Sequence, residues 1–130
     1  MKTAKILWLI PVLLLTGCAS RPNLVGMRGD GLDSSYSLQD RRAAKLHIKF
    51  AESLPPNAQV IGDFTVQRCH QYLQDASPSE AVLADDLTLL AYSQGADGIT
   101  NVKFDKESGL LKNCWFVAKA VGTFFKLKSD

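Results

Sequence analysis

The chain has 130 residues, 46% of them hydrophobic and 22% charged, which fits one small domain plus a terminal extension and excludes wholesale disorder. The formal charge is +2, and two basic residues, Lys2 and Lys5, lie in the first five positions, so the remainder is balanced. A balanced chain offers no basic surface suited to nucleic acid. With two histidines and no nucleophile constellation or phosphate loop in view, it does not read as an enzyme, and neither cofactor nor small-molecule substrate is expected.

Residues 1–17 have the pattern of an export signal. Lys2 and Lys5 make a positive start, and Ile6 to Leu15 is an apolar run of ten residues. A membrane-spanning helix needs about 20 apolar residues to cross about 30 Å of hydrocarbon, so this run is too short to be one. It ends in Leu15-Thr16-Gly17-Cys18-Ala19, where small residues precede a thiol. That pattern resembles the lipoprotein box of bacteria, with Cys18 as the acylated residue; an ordinary secretory signal is the alternative. Several acyl chains, at about 0.8 kcal/mol per buried CH₂, hold a protein firmly on a membrane. By the same resemblance, Ala19 after the cysteine implies the outer membrane of a Gram-negative cell.

Residues 19–44 show no sustained period of 2 or 3.6 and read, with Cys18, as an anchor and flexible linker over 18–44. Such a coil has an end-to-end distance of about 30 Å, or about 85 Å fully extended. The folded domain is expected over 45–130. Lys45 to Phe50 alternates polar and apolar, predicting a strand with Leu46, Ile48 and Phe50 inward. After Pro55-Pro56-Asn57, Ala58 to Cys69 predicts a second strand with Val60, Phe64 and Val66 on one face.

The clearest helix follows. Ser77-Pro78-Ser79-Glu80 has the form of a capping box with Ser77 as N-cap, and Leu83, Leu87, Leu90 and Ala91 recur on one side. Gly95 stops the helix and Ala96-Asp97-Gly98 turns the chain. Ile99 to Phe104 predicts a third strand with Thr100, Val102 and Phe104 on one face. A loop spans 105–113, and Cys114 to Leu127 predicts a long strand whose even positions are small or apolar. The expected fold is α+β, in the order β-β-α-β-β, a small antiparallel sheet with one helix on its apolar face. The charged Lys106, Glu107 and Lys112 of the loop, or the open face of the sheet, are the expected places for a partner; the same charges also serve simply to keep the loop soluble.

Of three cysteines, assigning Cys18 to lipid leaves Cys69 and Cys114, with one pairing possible. Outside the cytoplasm such a pair oxidises, and closing about 45 residues contributes about 4 kcal/mol in the loop-entropy account. Strict alternation puts Cys69 on the polar side of its strand, which requires a bulge or a strand end there. The rival is a metal site of Cys69, His70 and Cys114, with His47; adjacent strand residues point apart, which disfavours it. His47 and His70 otherwise read as exposed polar residues, and Trp115, Phe116, Phe124 and Phe125 as core and rim of the sheet.

The stretch from Val60 to Lys126 resembles the RcsF family of outer-membrane lipoproteins, which sense envelope stress for the Rcs phosphorelay, and more distantly YbjQ-type α+β domains. The resemblance is carried by Gly62-Asp63, Cys69, the run Ala91-Tyr92-Ser93-Gln94-Gly95-Ala96-Asp97-Gly98-Ile99, and Asn113-Cys114-Trp115 leading to Ala118 and Gly122. It implies a domain held at the outer membrane that relays damage by binding an inner-membrane regulator or an outer-membrane β-barrel. The family's second disulfide would fall at Phe104 and Ala120. The family's tether is longer and proline-rich, whereas residues 19–44 here contain only Pro22. A structural accessory lipoprotein of a secretion or flagellar complex is the competing expectation.

Overall fold

A computed structural model describes residues 36–128. The export signal, Cys18 and the first part of the expected linker lie outside the described residues. The fold is α+β, as expected, with a four-stranded sheet and two helices among the described residues, of which the second packs on the sheet.

The first described element is a helix where a linker and a strand were expected. Helix α1 spans Leu38–His47 and is opened by a capping box: Ser37 Oγ accepts from the Asp40 N–H at 3.1 Å, and the Asp40 carboxylate accepts from the Ser37 N–H at 3.0 Å. The Ser37 hydroxyl, which donates to Asp40 Oδ2 at 2.7 Å, and then the Ser37 N–H hold the Asp40 carboxyl below its usual range. Asp40 in the first turn and Lys45 and His47 in the last both suit the helix dipole. Only Ala44 is fully buried, so α1 leaves no leucine-rich period in the sequence to betray it. Lys45 to His47 is its last turn, and Leu46 and Phe50 are exposed rather than inward. Of that predicted strand only Ile48 is buried and only Lys49–Ala51 is extended, forming β1. Alternation over six residues does not distinguish a short strand from a helix end followed by one.

Strand β2 covers Ala58–His70, helix α2 Glu80–Ser93, β3 Gly98–Ser108 and β4 Phe116–Leu127, with a short 3₁₀ turn at Leu110–Lys112. The spatial order is β1-β3-β4-β2. β4 pairs antiparallel with both β3 and β2, but β1 runs parallel to β3, so the sheet is mixed rather than antiparallel. The long connection through β2 and α2 is what allows a parallel pair.

Two irregularities shift the inward faces. Between Val60 and Gly62 the register of β2 slips, which leaves Val60 exposed while Phe64 and Val66 point to the core. Between Thr100 and Lys103 the register of β3 slips at Asn101, whose φ is 52°. Thr100 and Val102 therefore do not share a face: Ile99 and Val102 join the core, and Phe104 follows at its exposed margin.

Helix α2 begins at Ser79, whose Oγ accepts from the Val82 N–H at 3.3 Å, and not at Ser77. The chain leaving β2 turns first, through a bond from Asp75 N–H to the Tyr72 carbonyl, and reaches the helix axis two residues later than the capping pattern suggested. The end of α2 is a Schellman motif. Gly95, at φ 70°, takes the left-handed conformation, the Gly95 N–H reaches the Tyr92 carbonyl and the Ala96 N–H the Ala91 carbonyl. The buried Ala91 and Ala96 close that end.

The predicted stripe of α2 faces the sheet: Leu83, Leu87, Leu90 and Ala91 are buried with Val66, Ile99, Ala118, Ala120 and Phe124. Alanines on β4 let the helix approach closely, and Phe64 stacks on Phe124 at 4.3 Å between centroids. Each buried leucine contributes about 2 kcal/mol of transfer free energy.

Candidate functional site: a stapled tip and a helical cleft

At one end of the sheet the Cys69–Cys114 disulfide closes, with Cα atoms 5.6 Å apart. Cys69 needs no bulge. Arg68 and His70 point to the helix side, so Cys69 between them faces the other way, and Cys114 meets it from the loop just before β4. The rival metal reading loses two of its ligands to this bond.

The disulfide holds a tight loop. Lys112 N–H and Cys114 N–H both donate to the Gly109 carbonyl, at 2.8 and 3.0 Å, and Asn113 adopts the left-handed conformation that asparagine tolerates. Position 109 admits only glycine in this arrangement, because an added Cβ would lie 2.5 Å from Cys114 Cβ and 2.6 Å from its carbonyl oxygen. The loop presents Leu110 and Leu111 outward, 82% and fully exposed, beside Trp115 at 57%. Tyr72 and Leu73, where the chain leaves β2, are exposed as well.

Behind the tip the predicted partner-binding charges are turned on each other. Glu107 accepts from Lys112 at 2.9 Å and from Lys119, and Lys112 also reaches Gln67 Oε1 at 3.2 Å. The two ammonium groups, Lys119 foremost, hold the Glu107 carboxyl below its usual range. Lys106 sits 5.2 Å over the Phe116 ring. His70 also stacks on that ring, at 4.8 Å, and is buried, contrary to the exposed role expected of it, because β2 continues through it onto the helix side. His47 is exposed, as expected, 3.3 Å from Asp97.

The second feature is a cleft of about 390 Å³ between α1 and α2, lined by Arg41, Arg42, Lys45, Arg68, Asp85 and Asp86 among others. Its floor is an ion pair: Arg68 Nε donates to Asp86 Oδ2 at 2.6 Å and Nη2 to Oδ1 at 2.8 Å, with side chains 15% and 3% exposed. Its rim carries an exposed pair, Lys45 to Asp85 at 2.7 Å. Among the described residues, the exposed Arg42 also lines this cleft.

Arg68 and Asp86 were missed by reading the sequence, although a signal exists. Arg68 lies in step with Phe64 and Val66, and Asp86 falls between Leu83, Leu87 and Leu90 on the apolar stripe of α2. Opposite charges on two faces that must meet predict a buried pair. Among the described residues, no helix is long and apolar enough to cross a membrane. Compared with protein-family models and with curated proteins, the chain matches none.

Proposed function

We propose that this is a non-enzymatic, lipid-anchored protein of the bacterial envelope, held at the outer membrane through Cys18 with its domain in the periplasm. It acts in the manner of the RcsF family, relaying envelope damage by binding an inner-membrane regulator. The observation that carries the reading is the Cys69–Cys114 disulfide, which uses two of the three cysteines and leaves Cys18, in its lipoprotein-like setting, for the acyl chains. A second feature supports the family resemblance: Phe104 and Ala120, where the family's other disulfide would fall, are cross-strand register partners. The partner-binding surface is the α1–α2 cleft, where Arg42 is exposed, since Glu107 and Lys112 of the 105–113 stretch are paired with each other and with Lys119.

The test is overproduction in a Gram-negative host that has the Rcs relay and an envelope-stress reporter. The reporter is expected to rise, and to rise less with Cys18→Ser or Arg42→Glu. A silent reporter, with intact mass showing Cys18 acylated, overturns the relay. Crosslinking that then recovers a stable stoichiometric assembly assigns the protein to the accessory role in a secretion or flagellar complex.

A further inference from the structure

The stapled tip has no part in the cleft and invites a separate explanation. Leu110 and Leu111 project from the end of the β3–β4 hairpin, with Leu111 as exposed as in an extended chain and Trp115 beside them. Exposed apolar clusters of this kind mark contact with a protein or a membrane. The disulfide and the Gly109 bonds keep the leucines from folding back onto the domain.

We infer that this tip docks into a lipid bilayer, making a second, shallow membrane contact in addition to the anchor. Three observations favour lipid over a protein groove. The two most exposed leucines, Leu110 and Leu111, are adjacent on one short turn, and a fluid acyl layer accommodates such a pair without a preformed groove. Its composition is that of the membrane interface: the exposed Leu110 and Leu111, the exposed aromatics Trp115 and Tyr72, and the exposed Lys106 on β3. The chain before the domain is also short. Tyr36 follows Cys18 by 18 residues, a reach of at most about 60 Å, so an anchored domain stays close to the bilayer surface. This last argument rests on the anchor proposed above. Docking would immerse Leu110, Leu111 and the Trp115 ring about 5–10 Å deep, at the headgroup boundary. The domain would then stand with a fixed orientation, its disulfide end at the membrane.

The experiment uses the full-length chain purified from membranes, carrying Trp8→Phe so that Trp115 is the only tryptophan. It is reconstituted in phosphatidylethanolamine–phosphatidylglycerol vesicles with either plain or brominated acyl chains. Trp115 emission is expected to shift to shorter wavelength on vesicles and to be quenched by the bromine, and Leu110→Ser/Leu111→Ser is expected to abolish both while the protein still floats with the vesicles. Equal emission from the two kinds of vesicle, in protein that floats, overturns the tip and leaves the anchor standing. Protein that does not float and has unmodified Cys18 overturns the anchor; brominated vesicles added to it then decide the tip separately. A photo-crosslinking residue at position 111 that captures protein in cells, and no lipid, also overturns the inference.

Discussion

The pair at the floor of the cleft gives the sharpest energetic prediction. Asp86 is 3% exposed and both its oxygens are bound by Arg68, so replacing Arg68 with Met strands a carboxylate among Leu83, Leu87 and the sheet. Breaking a buried pair by removing one partner costs about 3–5 kcal/mol, mostly as the desolvation of the ion left behind. Removing Asp86 instead, as Asp86→Leu, should cost less, because the Arg68 side chain is 15% exposed and its guanidinium has a path to water through the cleft. The double variant Arg68→Met/Asp86→Leu removes both charges from apolar surroundings and should recover to within about 1 kcal/mol of the parent. The internal control is Lys45→Ala, which breaks a pair whose side chains are 59% and 52% exposed, for a cost of about 0–1 kcal/mol. Urea unfolding followed by far-ultraviolet circular dichroism reads all four. With a slope of about 2 kcal/mol per molar, Arg68→Met should lower the midpoint by about 2 M. An Arg68→Met midpoint no lower than that of Lys45→Ala would refute the reasoning, as would a double variant whose loss equals the sum of the singles.

Other outcomes follow from the tip and the loop behind it. Cys69→Ala/Cys114→Ala opens a closure of 45 residues and should cost about 4 kcal/mol in the same unfolding assay, with a loss under about 1 kcal/mol counting against the entropic account. Gly109→Ala places a methyl group against Cys114 at 2.5 Å and should destabilise by about 1–3 kcal/mol, a thermal-melting measurement; an unchanged melting point would show that the loop can shift at no cost. Glu107→Gln should remove part of the acid sensitivity. The folded carboxyl titrates below its ordinary range, so its lysine contacts stabilise at neutral pH and are lost as pH falls through that lowered value. The stability gap between parent and Glu107→Gln should therefore be present near neutrality and shrink in strong acid, and a gap that widens on acidification would contradict the assignment.

Much of this protein was legible in its own letters. The α2 stripe of Leu83, Leu87, Leu90 and Ala91, the Gly95 stop, the small even positions of β4 and the pairing of Cys69 with Cys114 all follow from local periodicity and cysteine count, and the structure has each of them. Periodicity sees a residue's immediate neighbours, and the stripe, the stop and the even positions depend on little else; the disulfide, across 45 residues, was legible from the cysteine count instead. Others waited for the chain to fold back on itself. Helix α1 leans on α2 through a single fully buried alanine, so its identity rests on a capping box rather than on an apolar face. The slips at Val60 and Asn101 invert which residues face inward, and nothing in a run of alternating residues announces them. The parallel seat of β1, the burial of His70 on Phe116 and the Arg68–Asp86 bond join segments far apart in the chain. Local preference proposes each segment's shape, and only the shared desolvation of distant faces decides which side chains meet.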